Sequence, residues 1–187
     1  MKLPIYLDNA ATTALDPRVL SAMHAVLHSD TDYGNAASSH TYGWQASELV
    51  ESARQSVAAL IGARASEIIF TSGATEANNL AIQGVARQFP KKAIITCTAE
   101  HPSVLNTCQA MSMQGHIVTI LKPDSSGLLN MEQLKAILQP DTALVSIMLV
   151  NNETGVIQDI AAISQLDRKS TRLNSSHSRA SRMPSSA

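Results

Sequence analysis

Residues 68–80, with the sequence IIFTSGATEANNL, join a short apolar segment to the start of an amphipathic one. The β-branched and aromatic residues at 68–71 are typical of a buried strand. Beyond a break at Ser72 and Gly73, apolar residues recur at helical spacing. These residues are Ala77, Leu80, Ala81, Gly84 and Val85. The segment therefore predicts a strand that is followed at once by a helix.

The turn between this strand and helix is suited to phosphate. Gly73 lets the backbone approach a ligand, and the first N–H groups of the helix, near Ala74 and Thr75, have no partner within it. The Thr75 hydroxyl adds a donor. An ordinary turn capped by Ser72 or Thr75 explains the local pattern equally well. The nucleotide-binding patterns GxxxxGK[ST] and GxGxxG are absent from the sequence.

The rest of the chain alternates between helix and strand patterns. Helices are predicted at 17–28, 41–61, 102–114 and 130–138, and further strands at 93–97, 117–121 and 143–149. The long helix from Thr41 carries an apolar face that includes Trp44, Val57 and Leu60. This alternation predicts an α/β fold with a mostly parallel sheet and helices on both faces.

Ligands of such sheets gather at the carboxyl ends of the strands. Three predicted strands end in polar segments there, at 72–75, 98–101 and 151–155. A phosphate turn, the imidazole of His101 and an amide-carboxylate cluster are therefore expected in one crevice. Each element is weak by itself, because a lone histidine at a helix start is by default a loop residue and asparagine is common in turns.

The bulk composition excludes several classes of protein. With 187 residues, 44% hydrophobic, 16% charged and a net charge of -1, the chain gives no reason to expect a nucleic-acid or membrane partner. No leader or membrane-spanning run is visible, so we expect a cytoplasmic protein. Cys97 and Cys108 are predicted to be buried thiols. His24 and His28 lack a third ligand, so no metal site is predicted.

The composition changes abruptly at Asp167. Residues 168–187 hold five of the 14 basic residues, seven serines and no acidic residue. Without apolar periodicity, residues 167–187 are predicted to be a disordered Ser/Arg-rich tail beside the ordered domain at 1–166. The tail resembles translated sequencing-adapter sequence joined to a truncated gene, and a natural basic tail is the alternative.

Four motifs resemble the amino-terminal part of a cysteine desulfurase of the iron–sulfur assembly or nitrogen-fixation type. They are YLDNAATT at 6–13, FTSGATE at 70–76, EH at 100–101 and VNNETG at 150–155. The resemblance runs from about Leu3 to Leu166. It implies the class V aminotransferase family, a partial fold-type I large domain and pyridoxal 5′-phosphate (PLP) as cofactor. The implied reaction removes sulfur from L-cysteine, leaving L-alanine and an enzyme persulfide for iron–sulfur cluster assembly.

The resemblance also assigns roles to individual residues. Ala74 and Thr75 match the phosphate-binding residues of the family, His101 the catalytic histidine that stacks on the pyridine ring, and Asn152 the asparagine beside the ring's phenolic oxygen. Implied partners are L-cysteine, sulfur-acceptor or scaffold proteins and, at full length, a second subunit in a homodimer.

Several residues that the family requires have no match in this sequence. They are the lysine that anchors the cofactor, the aspartate that pairs with its pyridine nitrogen and the cysteine that accepts sulfur. The chain as given is therefore expected to be truncated and inactive alone. Two alternatives stay open: a selenocysteine lyase or other class V relative, and a non-catalytic truncated homologue that acts as a dimerisation partner.

Overall fold

The computed structural model describes residues 4–9, 11–90 and 92–170, with side chains to Leu166. The chain forms two compact units that divide between Ile69 and Phe70. In chain order the elements are α1 (Pro17–Leu27), α2 (Thr41–Ile61), a 3₁₀ turn (Ala65–Glu67), α3 (Ala74–Gln88), β1 (Ala93–Cys97), α4 (Pro102–Met113), β2 (Val118–Leu121), α5 (Met131–Ile137), β3 (Thr142–Val145) and α6 (Ile160–Ser170).

The first unit contains α1 and α2, and both begin and end where the sequence predicts. Asp16 caps α1 by accepting a hydrogen bond from the Arg18 amide at 2.8 Å, and proline occupies the first helical position. Helix α2 ends at Gly62, whose φ of 66° is the left-handed conformation that glycine adopts without strain. Local capping residues therefore mark the start of α1 and the end of α2.

The predicted apolar face of α2 is largely exposed. Trp44 is 63% exposed and Leu60 78%, and the buried residues of the helix are Gly43, Ala46 and Ala58. The periodicity of the sequence correctly predicted a helix. It did not identify the residues that are buried.

The predicted strand at 68–71 is wrong. Ile68 has an extended backbone, and the Arg54 guanidinium donates to its carbonyl oxygen at 2.6 Å, but no strand forms there. Ile69 is 69% exposed. The physical reason is that a strand needs a neighbouring strand to complete its hydrogen bonds, and no strand among the described residues forms a ladder with this segment.

The second unit contains a three-stranded parallel sheet in the order β2-β1-β3, which confirms the predicted α/β class. In the central strand, Ile95 pairs with Thr119 of β2 and with Val145 of β3. Strand β3 ends at Val145, four residues earlier than predicted. Beyond it, Val150 forms an isolated antiparallel bridge with Ile157, so the chain turns back before the expected end of the strand.

Helices cover both faces of this sheet, as predicted. On one face, Ile94 packs in a buried cluster with residues of α3 and α4: Ile82, Ala86, Val104, Cys108 and Met111. On the other, Ile95 and Cys97 pack with Leu134 of α5, its cap residue Leu138 and Ile163 of α6. Cys97 and Cys108 are free buried thiols, and burial raises the pKa of both.

Helix α3 packs through a different face from the one predicted. Its buried residues are Ile82 and Ala86, whereas Leu80 is half exposed. Asn78 lies one turn before Ile82 on the buried side, and its amide bonds to α4. The buried side of α3 therefore includes a polar contact with α4, and hydropathy alone did not predict that this side is buried.

Helix α6 runs to Ser170, four residues beyond the boundary predicted after Leu166, so the predicted tail is helical over 167–170. The remainder of that tail, residues 171–187, lies outside the described residues. In the part of the chain that the structure describes, no helix combines the length and the hydropathy needed to cross a bilayer.

Candidate functional site

The amino terminus of α3 is open to a ligand. Gly73 occupies the cap position without a side-chain hydrogen bond, and a Cβ built there would meet nothing within 4 Å. The first intrahelical bond runs from the Ala77 amide to the Gly73 carbonyl at 3.1 Å. The N–H groups of Ala74, Thr75 and Glu76 therefore precede the helical ladder and face outward. Gly73 itself has φ 164°, an extended conformation open to any residue.

Ser72, one of the two candidate caps, does not cap the helix. Its hydroxyl and its amide both bond the Glu76 carboxylate, at 2.7 and 2.6 Å. These hydrogen bonds lower the pKa of Glu76, so the carboxylate is ionised and closes the turn. The N–H groups of Ala74 and Thr75 are left for an anion, and solvent screens the exposed Glu76 charge.

His101 is the cap residue of α4, and its ring is oriented by the first turn of that helix. Nδ1 accepts a hydrogen bond from the Ser103 amide at 3.1 Å and lies 2.8 Å from the Ser103 hydroxyl. A backbone N–H can only donate, so Nδ1 is an acceptor and the ring proton is on Nε2. The ring is exposed, which leaves its faces free to stack on an aromatic ligand.

The two adjacent asparagines after β3 have different structural roles. The Asn151 oxygen accepts from the Glu153 and Thr154 amides at 3.0 and 2.8 Å, and its amide donates to the Ala99 carbonyl at 2.9 Å. Asn152 is exposed, and its side chain has no hydrogen-bond partner among the residues that the structure describes. Asn151 therefore fixes the loop, whereas the Asn152 side chain takes no part in its hydrogen bonds.

Hydrogen bonds bring the predicted site segments together at the carboxyl edge of β1. The Asn78 amide donates to the Ser103 hydroxyl at 2.8 Å, which joins α3, one turn beyond Thr75, to the start of α4. The bond from Asn151 to Ala99 joins the Asn152 loop to the residues just before His101. These two hydrogen bonds link α3 and the loop after β3 to the segment 99–103, which contains His101.

Glu100, part of the EH motif at 100–101, forms a further long-range link. The residue is 8% exposed, and its carboxylate accepts a hydrogen bond from the Met148 amide. Burial raises the pKa of Glu100, and the bond from Met148 opposes that effect. Glu100 thus ties the end of β1 to the chain beyond β3. In the sequence, the sign of this role was an acidic residue just beyond the end of a predicted buried strand, directly before His101.

A cavity of about 280 Å³ opens at the same edge, between the ends of β1 and β2. Thr98, Lys122 and Asn151 contribute to its lining. None of the four predicted site residues, Ala74, Thr75, His101 and Asn152, lines it. The candidate site is therefore an open surface of exposed groups beside this cavity, not the cavity itself.

The chain is similar in sequence to curated cysteine desulfurases. It is 57% identical over 171 residues to the cysteine desulfurase IscS of Tolumonas auensis, covering 90% of this chain and 42% of that protein. Against the IscS of Proteus mirabilis it is 54% identical, with the same coverage. The chain thus spans less than half the length of the curated relatives that it matches.

Solved structures of relatives have the same fold. A NifS-like protein matches with a TM-score of 0.85 at 40% identity, covering 90% of this chain and 46% of that one. A structure described as SspA in complex with cysteine matches with a TM-score of 0.80 at 38% identity, covering 88% and 47%. The second unit is accordingly part of a fold-type I domain, as predicted.

The family model for class V aminotransferases matches residues 5–173, nearly the whole chain. That match includes every residue of the candidate site and all of the described helices and strands. With the site geometry and the relatives in agreement with it, the chain belongs to the class V aminotransferase family.

Proposed function

We infer that this chain is the amino-terminal part of a PLP-dependent cysteine desulfurase, which removes sulfur from L-cysteine to give L-alanine and a persulfide on the enzyme. The observation that carries this proposal is the uncapped amino terminus of α3, a helix hydrogen-bonded to the first turn of α4 after His101, in a chain whose relatives are named cysteine desulfurases. The selenocysteine and non-catalytic alternatives have no structural feature in their favour.

The residues of the site fit the cofactor. The N–H groups of Ala74 and Thr75, with the Thr75 hydroxyl, suit a phosphate dianion at the positive end of a helix. The exposed His101 imidazole suits stacking on a pyridine ring. The Asn152 amide can donate to a phenolate oxygen without adding charge, and the structure leaves that amide free.

Each of these residues has a separate task in the proposed reaction. PLP, when bound, supplies the electron sink that weakens bonds next to the amino-acid nitrogen. The α3 turn binds the phosphate and fixes the position of the cofactor. The His101 ring orients the pyridine plane and carries one transferable proton on Nε2, a role for which imidazole is suited near neutral pH.

The solved relative described in complex with cysteine supports L-cysteine as the substrate. The IscS relatives support iron–sulfur cluster assembly as the destination of the sulfur, with a sulfur-acceptor or scaffold protein as partner. We propose a homodimer as the assembly of the full-length protein.

Cofactor binding by this chain can be measured by titration with PLP, followed by ³¹P NMR. Thr75→Val removes the hydroxyl and keeps the shape, and it should weaken binding about ten-fold or more, because hydrogen bonds to charged groups contribute about 1.5–3 kcal/mol. Thr41→Val is the matched control, because Thr41 is also in the first turn of a helix and exposed. Equal affinities of the two variants would contradict the phosphate assignment.

The catalytic proposal is tested on the protein that the locus encodes, with genomic DNA re-read past the Leu166 codon. We expect that protein to release L-alanine from L-cysteine in amounts that match sulfide formed in the presence of a reductant. Release of alanine from selenocysteine alone, or from neither amino acid, would overturn it.

A further inference from the structure

Ser103 has no role in the proposed function, yet both its amide and its hydroxyl lie within hydrogen-bond distance of the His101 ring. It is 8% exposed, lies at the second position of α4, and presents both its amide and its hydroxyl to Nδ1 of His101. Its own carbonyl accepts from the buried Thr107 hydroxyl at 2.8 Å. The hydroxyl is therefore held in a rigid turn and is not a freely rotating surface group.

Asn78 determines which way the Ser103 hydroxyl donates. The Asn78 amide approaches the hydroxyl oxygen as a donor at 2.8 Å, so that oxygen acts as an acceptor toward α3. Its one proton is then available for Nδ1 of His101, 2.8 Å away. Two donors, the amide and the hydroxyl of Ser103, converge on a single ring nitrogen. A proton on that nitrogen would face both of them.

We propose that Ser103 and Asn78 are positioning residues that hold the His101 ring in one orientation with its single proton on Nε2. Nε2 has no partner among the described residues, so this proton points away from α4 into the exposed site. The same pair joins α3, which carries the Ala74 and Thr75 donors, to the imidazole. Only the role of this arrangement in PLP binding rests on the proposed function. The orientation of the His101 ring does not.

The test is a histidine ¹⁵N NMR spectrum of the purified chain, which separates protonated from unprotonated ring nitrogens. His101→Gln identifies the signal by its loss. We expect His101 to show an unprotonated Nδ1 and a protonated Nε2 at a pH where the ring is neutral. Ser103→Ala removes the hydroxyl and keeps the amide, so the ratio of the two tautomers should fall about 2- to 10-fold. A protonated Nδ1 in the unmodified chain would overturn the proposal.

Asn78→Asp reverses the direction of the hydrogen bond. The new carboxylate can only accept, so it would draw the Ser103 proton and turn the hydroxyl oxygen toward Nδ1. The Nδ1-protonated tautomer should then rise by more than in Ser103→Ala. Asn106→Asp, the same change at an exposed position of α4, is the matched control and should leave the His101 signal unchanged. Equal spectra for the Asn78 and Asn106 variants would contradict a role for Asn78.

A PLP titration of the same variants, with circular dichroism as the check on folding, keeps the two proposals apart. The expected tautomer without any saturable PLP binding would support the positioning of His101 and contradict the proposed function. PLP binding with a mixed tautomer in the unmodified chain would support the proposed function and contradict the positioning of His101. A merely structural Ser103 would change the unfolding midpoint in Ser103→Ala and leave the tautomer ratio as it was, which would overturn the proposal.

Discussion

Adjacent substitutions at Asn151 and Asn152 should have opposite effects. Asn151→Ala removes a bond to the half-buried Ala99 carbonyl and the acceptor for two backbone amides in the following turn. A hydrogen bond contributes about 0.5–1.5 kcal/mol net, and the two amides are exposed, so water replaces much of what they lose. We expect a loss of about 2 kcal/mol in the free energy of unfolding. Asn152→Ala should change it by about 0.5 kcal/mol or less.

Urea denaturation followed by circular dichroism measures both values, and hydrogen exchange of the Glu153 and Thr154 amides localises the change. These amides should exchange faster in Asn151→Ala and at the original rate in Asn152→Ala. The ranking reverses for PLP, because Asn152→Ala removes the free donor and should weaken binding without unfolding the loop. If both variants lose equal stability, or if the exchange rates of the loop do not separate them, the assignment of different roles is refuted.

Two further predictions concern the body of the second unit. Leu134 is fully buried, so Leu134→Ala should lower the free energy of unfolding by about 2–5 kcal/mol, against about 1 kcal/mol or less for the half-exposed Leu80→Ala, both measured by urea denaturation. Burial raises the folded-state pKa of Glu100, so the stability it contributes is present at low pH and is lost as the pH rises through that value. Glu100→Gln keeps the acceptor for the Met148 amide and removes the titration, so its stability relative to the unmodified chain should grow from acidic to neutral pH. A difference that is constant with pH would contradict this account.

Elements defined by local signals could be predicted from the sequence. Strand β1 has the predicted bounds, and α1, α4 and α5 begin within one residue of the predicted starts, where Asp16, His101 and Asn130 cap them. A cap depends on residues that are two or three positions apart, so a single sequence contains all the information. The parallel pairing of the strands was predictable as well, because a chain in which helices and strands alternate has few other arrangements open to it.

Features that depend on distant partners were not predictable in the same way. The segment 68–71 has strand-like residues, yet a strand exists only where another one pairs with it. Asn78 and Ser103 are 25 positions apart, and no local pattern connects them. Likewise, composition cannot tell Asn151 from Asn152, because only the hydrogen bonds show which amide is used by the fold.

Among the described residues, three long-range hydrogen bonds end on five consecutive residues, 99–103, soon after the central strand. The Ala99 carbonyl accepts from Asn151, the Glu100 carboxylate from the Met148 amide, and the Ser103 hydroxyl from Asn78. His101 lies in the middle of this segment. A shift of the segment would therefore move the α3 donors and the Asn152 loop together with the imidazole. A substitution at Asn78 releases only α3 from this segment, and one at Asn151 releases only the Asn152 loop. The two variants should therefore separate phosphate binding from the position of the Asn152 amide.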